Sequence, residues 1–156
     1  MAETISKGER APEFTLPNQS GEDVSLAELR QKGPVVVYFY PKDETPGCTA
    51  EACAFRDAFD VFQKAGASVV GISNDSVASH QKFAAHHGLP FLLLSDPDGE
   101  VRAKFRVPRA ALGLLPGRVT FVVDREGVVQ HSFNSLLGAT KHVDEAVAVV
   151  KKLAQA

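Results

Sequence analysis

Cys48 and Cys53 are the only cysteines in a chain of 156 residues, and they sit together in the stretch Thr45-Pro46-Gly47-Cys48-Thr49-Ala50-Glu51-Ala52-Cys53. Their spacing is not the C-x-x-C of a dithiol that closes with little movement. Cys48 follows Thr45-Pro46-Gly47 and falls in the first turn of a helix. There the unpaired N–H groups and the positive end of the helix dipole favour a thiolate, which is the nucleophilic form of cysteine. Helical geometry of about 100° per residue sets Ala52, Phe55, Phe59 and Phe62 within roughly 40° of Cys48, so this thiol is expected to face the core. Cys53 lies about 140° round, among Arg56, Asp57, Asp60 and Lys64, on the side that should meet solvent.

On an ideal helix, residues five apart have Cα atoms roughly 8.6 Å from each other. A disulfide needs less than about 7 Å. A Cys48–Cys53 bridge therefore requires the start of the helix to unwind, which makes it a conformational event and not a fixed staple. The spacing suits a cysteine that reacts alone in the folded state, forms a sulfenic acid, and meets its partner after local unfolding. The competing reading, an inert and half-buried thiol at each position, is weakened by the second thiol so near a helix start.

The elements that must position these residues follow from hydrophobic pattern. Phe14 to Leu26 reads as a short strand and turn, with Asn18, Ser20 and Gly21 supplying turn chemistry. Pro34 to Tyr40 is a continuous apolar run, the mark of a strand buried on both faces. A helix is expected from about Gly47 to Lys64, ended by Ala65-Gly66. A strand over Ala67 to Ser73, a helix over Ser76 to His87 closed by Gly88, a strand over Phe91 to Ser95 and a short helix around Val101 to Phe105 follow. Arg118 to Asp124 and Gly127 to Phe133 form a hairpin signal. A last helix covers about Lys141 to Ala154, with Val143, Ala146, Val147, Val150 and Leu153 on one stripe. This order predicts an α/β domain of thioredoxin-like fold, with a mixed central β-sheet flanked by helices on both faces. Val107 to Gly117 reads as a buried connection more than as a flap over a site.

With 44% hydrophobic residues the chain can bury one core and is too short for two ordinary domains, so residues 1–156 are expected to form a single domain. Its 17 basic and 19 acidic residues leave a net charge of −2, which provides no basic field for nucleic acid or an anionic membrane. No apolar run approaches the roughly 20 residues of a membrane helix, and Met1 to Phe14 lacks the apolar core of a secretion signal. A cytoplasmic protein is expected. In a reducing compartment the two thiols are poor candidates for a structural framework. The histidines His80, His86, His87, His131 and His142 show neither H-x-x-x-H nor a Cys/His ligand spacing, so no metal site is expected. Phe83 and Phe91 read as core.

The segment FYPKDETPGCTAEACAFRD closely resembles the active-site segment of peroxiredoxins, and its Cys-x4-Cys spacing is similar to the peroxiredoxin Q or bacterioferritin comigratory protein subgroup. The likeness extends along the chain through GERAPEFTLPNQSGEDVSL, VVVYFYPKD, LLSDPDGEV and PGRVTFVVDREGVV. It implies a thiol peroxidase that reduces hydrogen peroxide and organic hydroperoxides without a bound cofactor and is recycled by thioredoxin or a similar dithiol. Position by position, Cys48 resembles the peroxidatic cysteine and Cys53 the resolving one. Pro41 and Thr45 match the proline and threonine of P-x-x-x-T-x-x-C, and Arg118 resembles the arginine that completes the site. Thr45, Arg118 and the N–H of Gly47 would then bind substrate. Because both thiols lie in one helix, an intrachain disulfide and a monomer are expected. Without the resemblance, Thr45 is also readable as only a helix-start hydroxyl contact and Arg118 as a surface residue; Glu51, one turn after Cys48, reads equally as an ion-pair partner that orients Arg118 and as an exposed first-turn glutamate favoured by the helix dipole, and is left outside the core site. A redox-sensing module that exposes or hides a surface on oxidation is the alternative function.

Overall fold

A computed structural model describes residues 4–110 and 115–155 of the chain. Val35–Phe39 (β3) is fully buried along its length, as its unbroken apolar sequence requires. It lies at the centre of a five-stranded sheet in the order β5-β4-β3-β8-β9, with β4 at Ser68–Ser73, β5 at Leu92–Ser95, β8 at Val119–Val123 and β9 at Val129–Asn134. β3 runs parallel to β4, and β4 to β5, whereas β8 is antiparallel to both β3 and β9, so the sheet is mixed as expected.

Alternate residues of β3 feed two cores. Val35, Val37 and Phe39 pack with Leu26 and Leu29 of α1 (Leu26–Lys32) and with Val101 of α5 (Glu100–Lys104). Val36 and Tyr38 pack on the other face with α2 (Pro46–Asp57), α3 (Phe59–Lys64), α4 (Val77–His87) and α6 (Ala139–Gln155), through Phe55, Phe62, Phe83, Val143 and Val150. Phe83 and Phe91 are core residues as expected. β1 (Thr15–Pro17) and β2 (Asp23–Ser25) make a separate antiparallel pair, and β6 (Arg109–Ala110) pairs with β7 (Leu115–Pro116) within the segment expected to be a buried connection, part of which lies outside the described residues. Among the described residues no helix is long and apolar enough to cross a membrane.

Two elements differ from expectation. The helix expected from Gly47 to Lys64 is interrupted at Ala58, which has φ −97° and ψ 5°. There the Val61 N–H reaches the Ala58 carbonyl at 3.0 Å, a tightened turn that redirects the chain. Phe62 stays fully buried while Phe59 is only half-buried. Helix α1 lies beyond the strand and turn that the sequence pattern predicts there, although its start is written in Ser25-Leu26-Ala27-Glu28: the Ser25 hydroxyl accepts the Glu28 N–H at 3.1 Å.

The position of α2 depends on one glycine. The Tyr38 ring stacks on Phe55 of α2 at 4.5 Å between centroids, and a Cβ placed at Gly71 of β4 would come within 2.7 Å of that ring. Gly71→Ala is expected to push Tyr38 against Phe55 and to cost about 1–3 kcal/mol. Urea unfolding of wild type and variant reads this directly; an unchanged midpoint would show that the ring does not wedge α2.

Candidate active site

Cys48 is the third residue of α2 and only 1% exposed. Its surroundings are built from two directions. Pro46 opens the helix with no N–H to satisfy, and no side chain caps the first turn, so the N–H groups of Gly47 and Cys48 have no intrahelical acceptor. From the sheet, Arg118 immediately precedes β8 and is 3% exposed. Its Nη2 donates to Cys48 Sγ at 3.4 Å, its Nε to the Leu136 carbonyl at 3.0 Å, and its Nη1 to Glu51 Oε1. The planar fork is thus fixed on three sides with one edge against the sulfur. Gly47 makes room for it, since a Cβ there would stand 3.1 Å from Arg118 Nη2.

Arg118 is therefore not the surface residue its sequence context alone suggests. Of the two readings of Glu51 the ion pair with Arg118 holds and the exposed first-turn residue does not: it is 0% exposed beneath Arg118, inside the core site and not outside it. The signal was present in the sequence, because Cys48, Glu51, Ala52 and Phe55 form an i, i+3, i+4, i+7 stripe, and a glutamate on an apolar stripe requires a buried cation. Burial pushes the Glu51 carboxyl up to about 8, against the downward pull of Arg118. Burial opposes the Arg118 cation too, but the charges of Glu51 and Cys48 more than offset it and raise its pKa.

Behind Glu51 stands His142 of α6, whose Nδ1 is 3.7 Å from Glu51 Oε2. Burial lowers His142 to about 4, so the ring is neutral at physiological pH. Its Nε2 donates to the Ser135 carbonyl at 2.7 Å, which leaves Nδ1 to accept the Thr120 hydroxyl at 2.7 Å.

The loop between β3 and α2 is fastened independently. Arg102 of α5 donates to the Tyr40 carbonyl and to the Gly117 carbonyl, each at 3.0 Å, and so ties the exit of β3 to the residue ahead of Arg118. Burial lowers the Arg102 pKa to about 10, which leaves it a cation. Asp43 accepts the Tyr40 hydroxyl at 2.5 Å, His80 Nδ1 at 2.7 Å and the Ser79 hydroxyl at 2.8 Å. Its own N–H donates to Asp75 Oδ2 at 2.9 Å. Apart from Tyr40 and Asp43, these partners lie far apart in the sequence, and no local pattern announces them.

The other expected site residues are placed as follows. The Thr45 hydroxyl donates to the Lys42 carbonyl at 2.8 Å, closing the loop on itself, and Thr45 contributes no side-chain cap to α2. Pro41 is half-buried where the chain leaves β3. Cys53 is half-buried in the same unbroken helix as Cys48, and both thiols are free. The structure thus gathers Cys48, Gly47 and Arg118, adds Glu51, and leaves Cys53 on a different side of α2.

Chemically, a sulfur at an uncapped helix start, desolvated and touched by a permanent cation, is arranged to act as a nucleophile whose charge spreads onto a bound oxygen. The comparisons agree with that chemistry. Residues 7–132 match the AhpC/TSA family. The chain is 52% identical over 149 residues to the chloroplastic peroxiredoxin Q of Sedum lineare, covering 96% of this chain and 80% of that protein. Among solved structures it is similar to peroxidoxin BcpB of Mycobacterium tuberculosis, with a TM-score of 0.89 and 41% identity over 96% of this chain and 98% of that one. It is also similar to the bacterioferritin comigratory protein of Xanthomonas campestris, studied for alkyl peroxide reduction, with a TM-score of 0.81 and 34% identity over 90% and 92% of the two chains.

The buried pair behind the sulfur has a signature in pH. His142 is held below its ordinary value, so its contribution to stability is complete above about pH 6.5 and is lost as pH falls toward 4. Glu51 is held above its ordinary value and acts in the opposite sense, weakening the fold as pH rises from about 4.5 to 8. The difference in unfolding free energy between wild type and His142→Gln isolates the first effect. It is expected to shrink by about 1 kcal/mol per pH unit between pH 6.5 and 4 in urea unfolding. A difference independent of pH would show that His142 is not held neutral.

Proposed function

The chain belongs to the AhpC/TSA family and, within it, to the peroxiredoxin Q group of thiol peroxidases, and on that premise we propose that Cys48 is the peroxidatic cysteine and Cys53 its resolving partner. The observation that carries this reading is the contact of Arg118 Nη2 with Cys48 Sγ at 3.4 Å, at a helix start free of side-chain caps.

The Cys48 thiolate attacks the terminal oxygen of a hydroperoxide. The S–O bond forms as the O–O bond breaks, two electrons pass from sulfur to the peroxide, and the leaving oxygen departs with a proton as water or an alcohol. In the transition state negative charge spreads over sulfur and both oxygens. Arg118 and the N–H groups of Gly47 and Cys48 are the donors aimed at that charge, and Glu51 holds the guanidinium in place from behind. Pro41, with no N–H and a stiff φ, is assigned the shielding of the sulfur from water. In this reading the Thr45 hydroxyl reaches the peroxide only by exchanging its bond to the Lys42 carbonyl.

Cys48 then carries a sulfenic acid. While α2 is intact, the Cys53 thiolate is held on another side of the helix. Opening of the first turns lets it attack the sulfenic sulfur, so that the S–S bond forms and hydroxide leaves as water. An external dithiol, thioredoxin or a similar protein, returns two electrons by thiol–disulfide exchange. Hydrogen peroxide and organic hydroperoxides are both proposed as substrates, the latter supported by the similarity to the Xanthomonas campestris protein. Both thiols belong to one helix, so a monomer completes the cycle.

One equivalent of hydrogen peroxide should convert the reduced protein to a species lighter by two hydrogens, with Cys48 joined to Cys53 in peptide mass spectrometry. Cys48→Ser should lose peroxide consumption in a thioredoxin-coupled assay. Cys53→Ser should complete one round, stall, and accumulate overoxidised Cys48. Sustained thioredoxin-driven turnover by Cys53→Ser would remove it from the resolving role, and a wild type that stops after one equivalent with reductant present would favour a peroxide-sensing switch over an enzyme.

A further inference from the structure

Four residues ahead of Cys48, Glu44 has φ +63°, in the left-handed region that few non-glycine residues occupy. With that backbone its carboxylate lies against the last turn of α4. Oε1 is 2.8 Å from His87 Nε2, and Oε2 is 3.0 Å from His86 Nδ1. Adjacent helical residues ordinarily point about 100° apart. Here the two imidazoles converge, with ring centroids 4.2 Å from each other.

Two imidazole nitrogens and a carboxylate oxygen are the donor set of borderline divalent ions. All three donor atoms lie within 4.8 Å of one another. In a tetrahedral zinc site with bonds of about 2.0–2.1 Å, neighbouring donors stand about 3.3–3.4 Å apart. The single oxygen Glu44 Oε1 is 2.8 Å from His87 Nε2 and 3.2 Å from His86 Nδ1, separations that would open by only a few tenths of an ångström to admit an ion in place of the two ring protons. His86 is 66% exposed at its side chain and His87 17%, so an ion has access from solvent and water can complete the coordination. The negative end of α4 favours a cation at this place. The nearby cation of Arg56 is directed to the His87 carbonyl at 2.8 Å and to Asp57. The hydrogen bonds from both imidazoles hold the Glu44 carboxyl below its usual range, so the oxygen ligand is ionised.

The chain holds a second group of ligand-type side chains, Asp43, Asp75 and His80. It differs in being largely buried and internally satisfied: His80 is bonded to Asp43 and to the Leu94 carbonyl, and Asp75 to the Ser73 hydroxyl. That cluster is an anchor, with Asp43 and His80 buried and their ligand atoms already bonded within the protein. Sequence spacing missed the exposed cluster because its carboxylate comes from another element, and two adjacent histidines match no ligand motif.

We propose that Glu44, His86 and His87 form a binding site for a divalent transition-metal ion of the zinc class, which fastens the loop ahead of Cys48 to the end of α4. The site stands on its own geometry; its consequence rests on the Cys48–Cys53 cycle proposed above. Opening of α2 starts at this loop, and an ion bound only by the closed form opposes it. At free ion a hundredfold above its dissociation constant, the open population falls by about a hundredfold. The ion thereby slows closure of the disulfide while leaving the sulfur in its reactive setting.

The test begins without peroxide. The reduced protein is titrated with Zn2+ by calorimetry and with Co2+ by visible absorbance, in wild type, in the Cys48→Ser/Cys53→Ser double variant, and in His86→Ala, His87→Ala and Glu44→Gln. One equivalent is expected to bind wild type and the double variant alike, with cobalt ligand-field bands and no thiolate-to-cobalt charge transfer. His86→Ala, whose lost side chain is mostly solvent-exposed, should bind more weakly by more than the roughly 10- to 100-fold that loss of an outer-shell partner costs. Binding that persists undiminished in both histidine variants, or that vanishes with the thiols, overturns the site. Disulfide closure after one equivalent of peroxide, followed by quenched mass spectrometry, should slow with Zn2+ in wild type and not in His86→Ala. Equal slowing in both overturns the coupling, while absence of any sulfenic acid or disulfide at Cys48 identifies a failure of the peroxidase reading instead.

Discussion

A guanidinium buried against a sulfur is the constraint around which this molecule is arranged. Arg118 has left water at a cost that only fixed partners offset, and it finds them in the Leu136 carbonyl, Glu51 and Cys48. Cys48 and Glu51 come from α2 and Leu136 from the segment after β9, so the contact exists only if β8 pairs with β3 in register and α2 lies across the same face of the sheet. Glu51 confers orientation more than charge: whether or not its carboxyl holds a proton, Arg118 stays a cation and its fork stays in plane. His142 and Thr120 complete a polar layer in an otherwise apolar core, with the neutral imidazole bonded at both nitrogens.

For the proposed cycle the helix that presents Cys48 has to be both firm and able to open. Firmness comes from Ala52 and Phe55 in the core and from Tyr38 stacked on Phe55. Readiness to open comes from the absence of a side-chain cap at Thr45 and from the break at Ala58, which leaves α2 a twelve-residue element, a length marginal in isolation. The loop ahead of it is pinned at Asp43, and Arg102 clamps the strand ends on either side. The unwinding that the proposed cycle requires would thereby fall between Asp43 and the packed middle of α2.

Much of this was legible before any coordinates. The buried run at Pro34 to Tyr40, the hairpin, the helix closed by Gly88 and the stripe on α6 are all local patterns, and each element lies where its pattern put it. Cys48 was expected to face the core because periodicity alone decides which side of a helix a residue occupies. The same periodicity carried Glu51, whose burial follows from the stripe it shares with Cys48. Ser25 and Glu28 likewise carried the start of α1. Other parts had no local signal. Arg102 reaching the Tyr40 carbonyl, Asp43 meeting His80, and Glu44 meeting His86 and His87 are pairings across tens of residues, created by the crossover that brings α4 and α5 beside the end of β3. The break at Ala58 is a tertiary matter too, since its sequence favours a continuous helix.

The contact between Arg118 and Cys48 is tested most directly by stopped-flow measurement of the bimolecular reaction of Cys48 with hydrogen peroxide under single-turnover conditions, in a Cys53→Ser background, with and without Arg118→Met. If the guanidinium stabilises the charge that develops on sulfur and oxygen, the rate constant falls by about 10²–10³ while the fold persists. A folded Arg118→Met protein that reacts as fast as its parent would contradict the account.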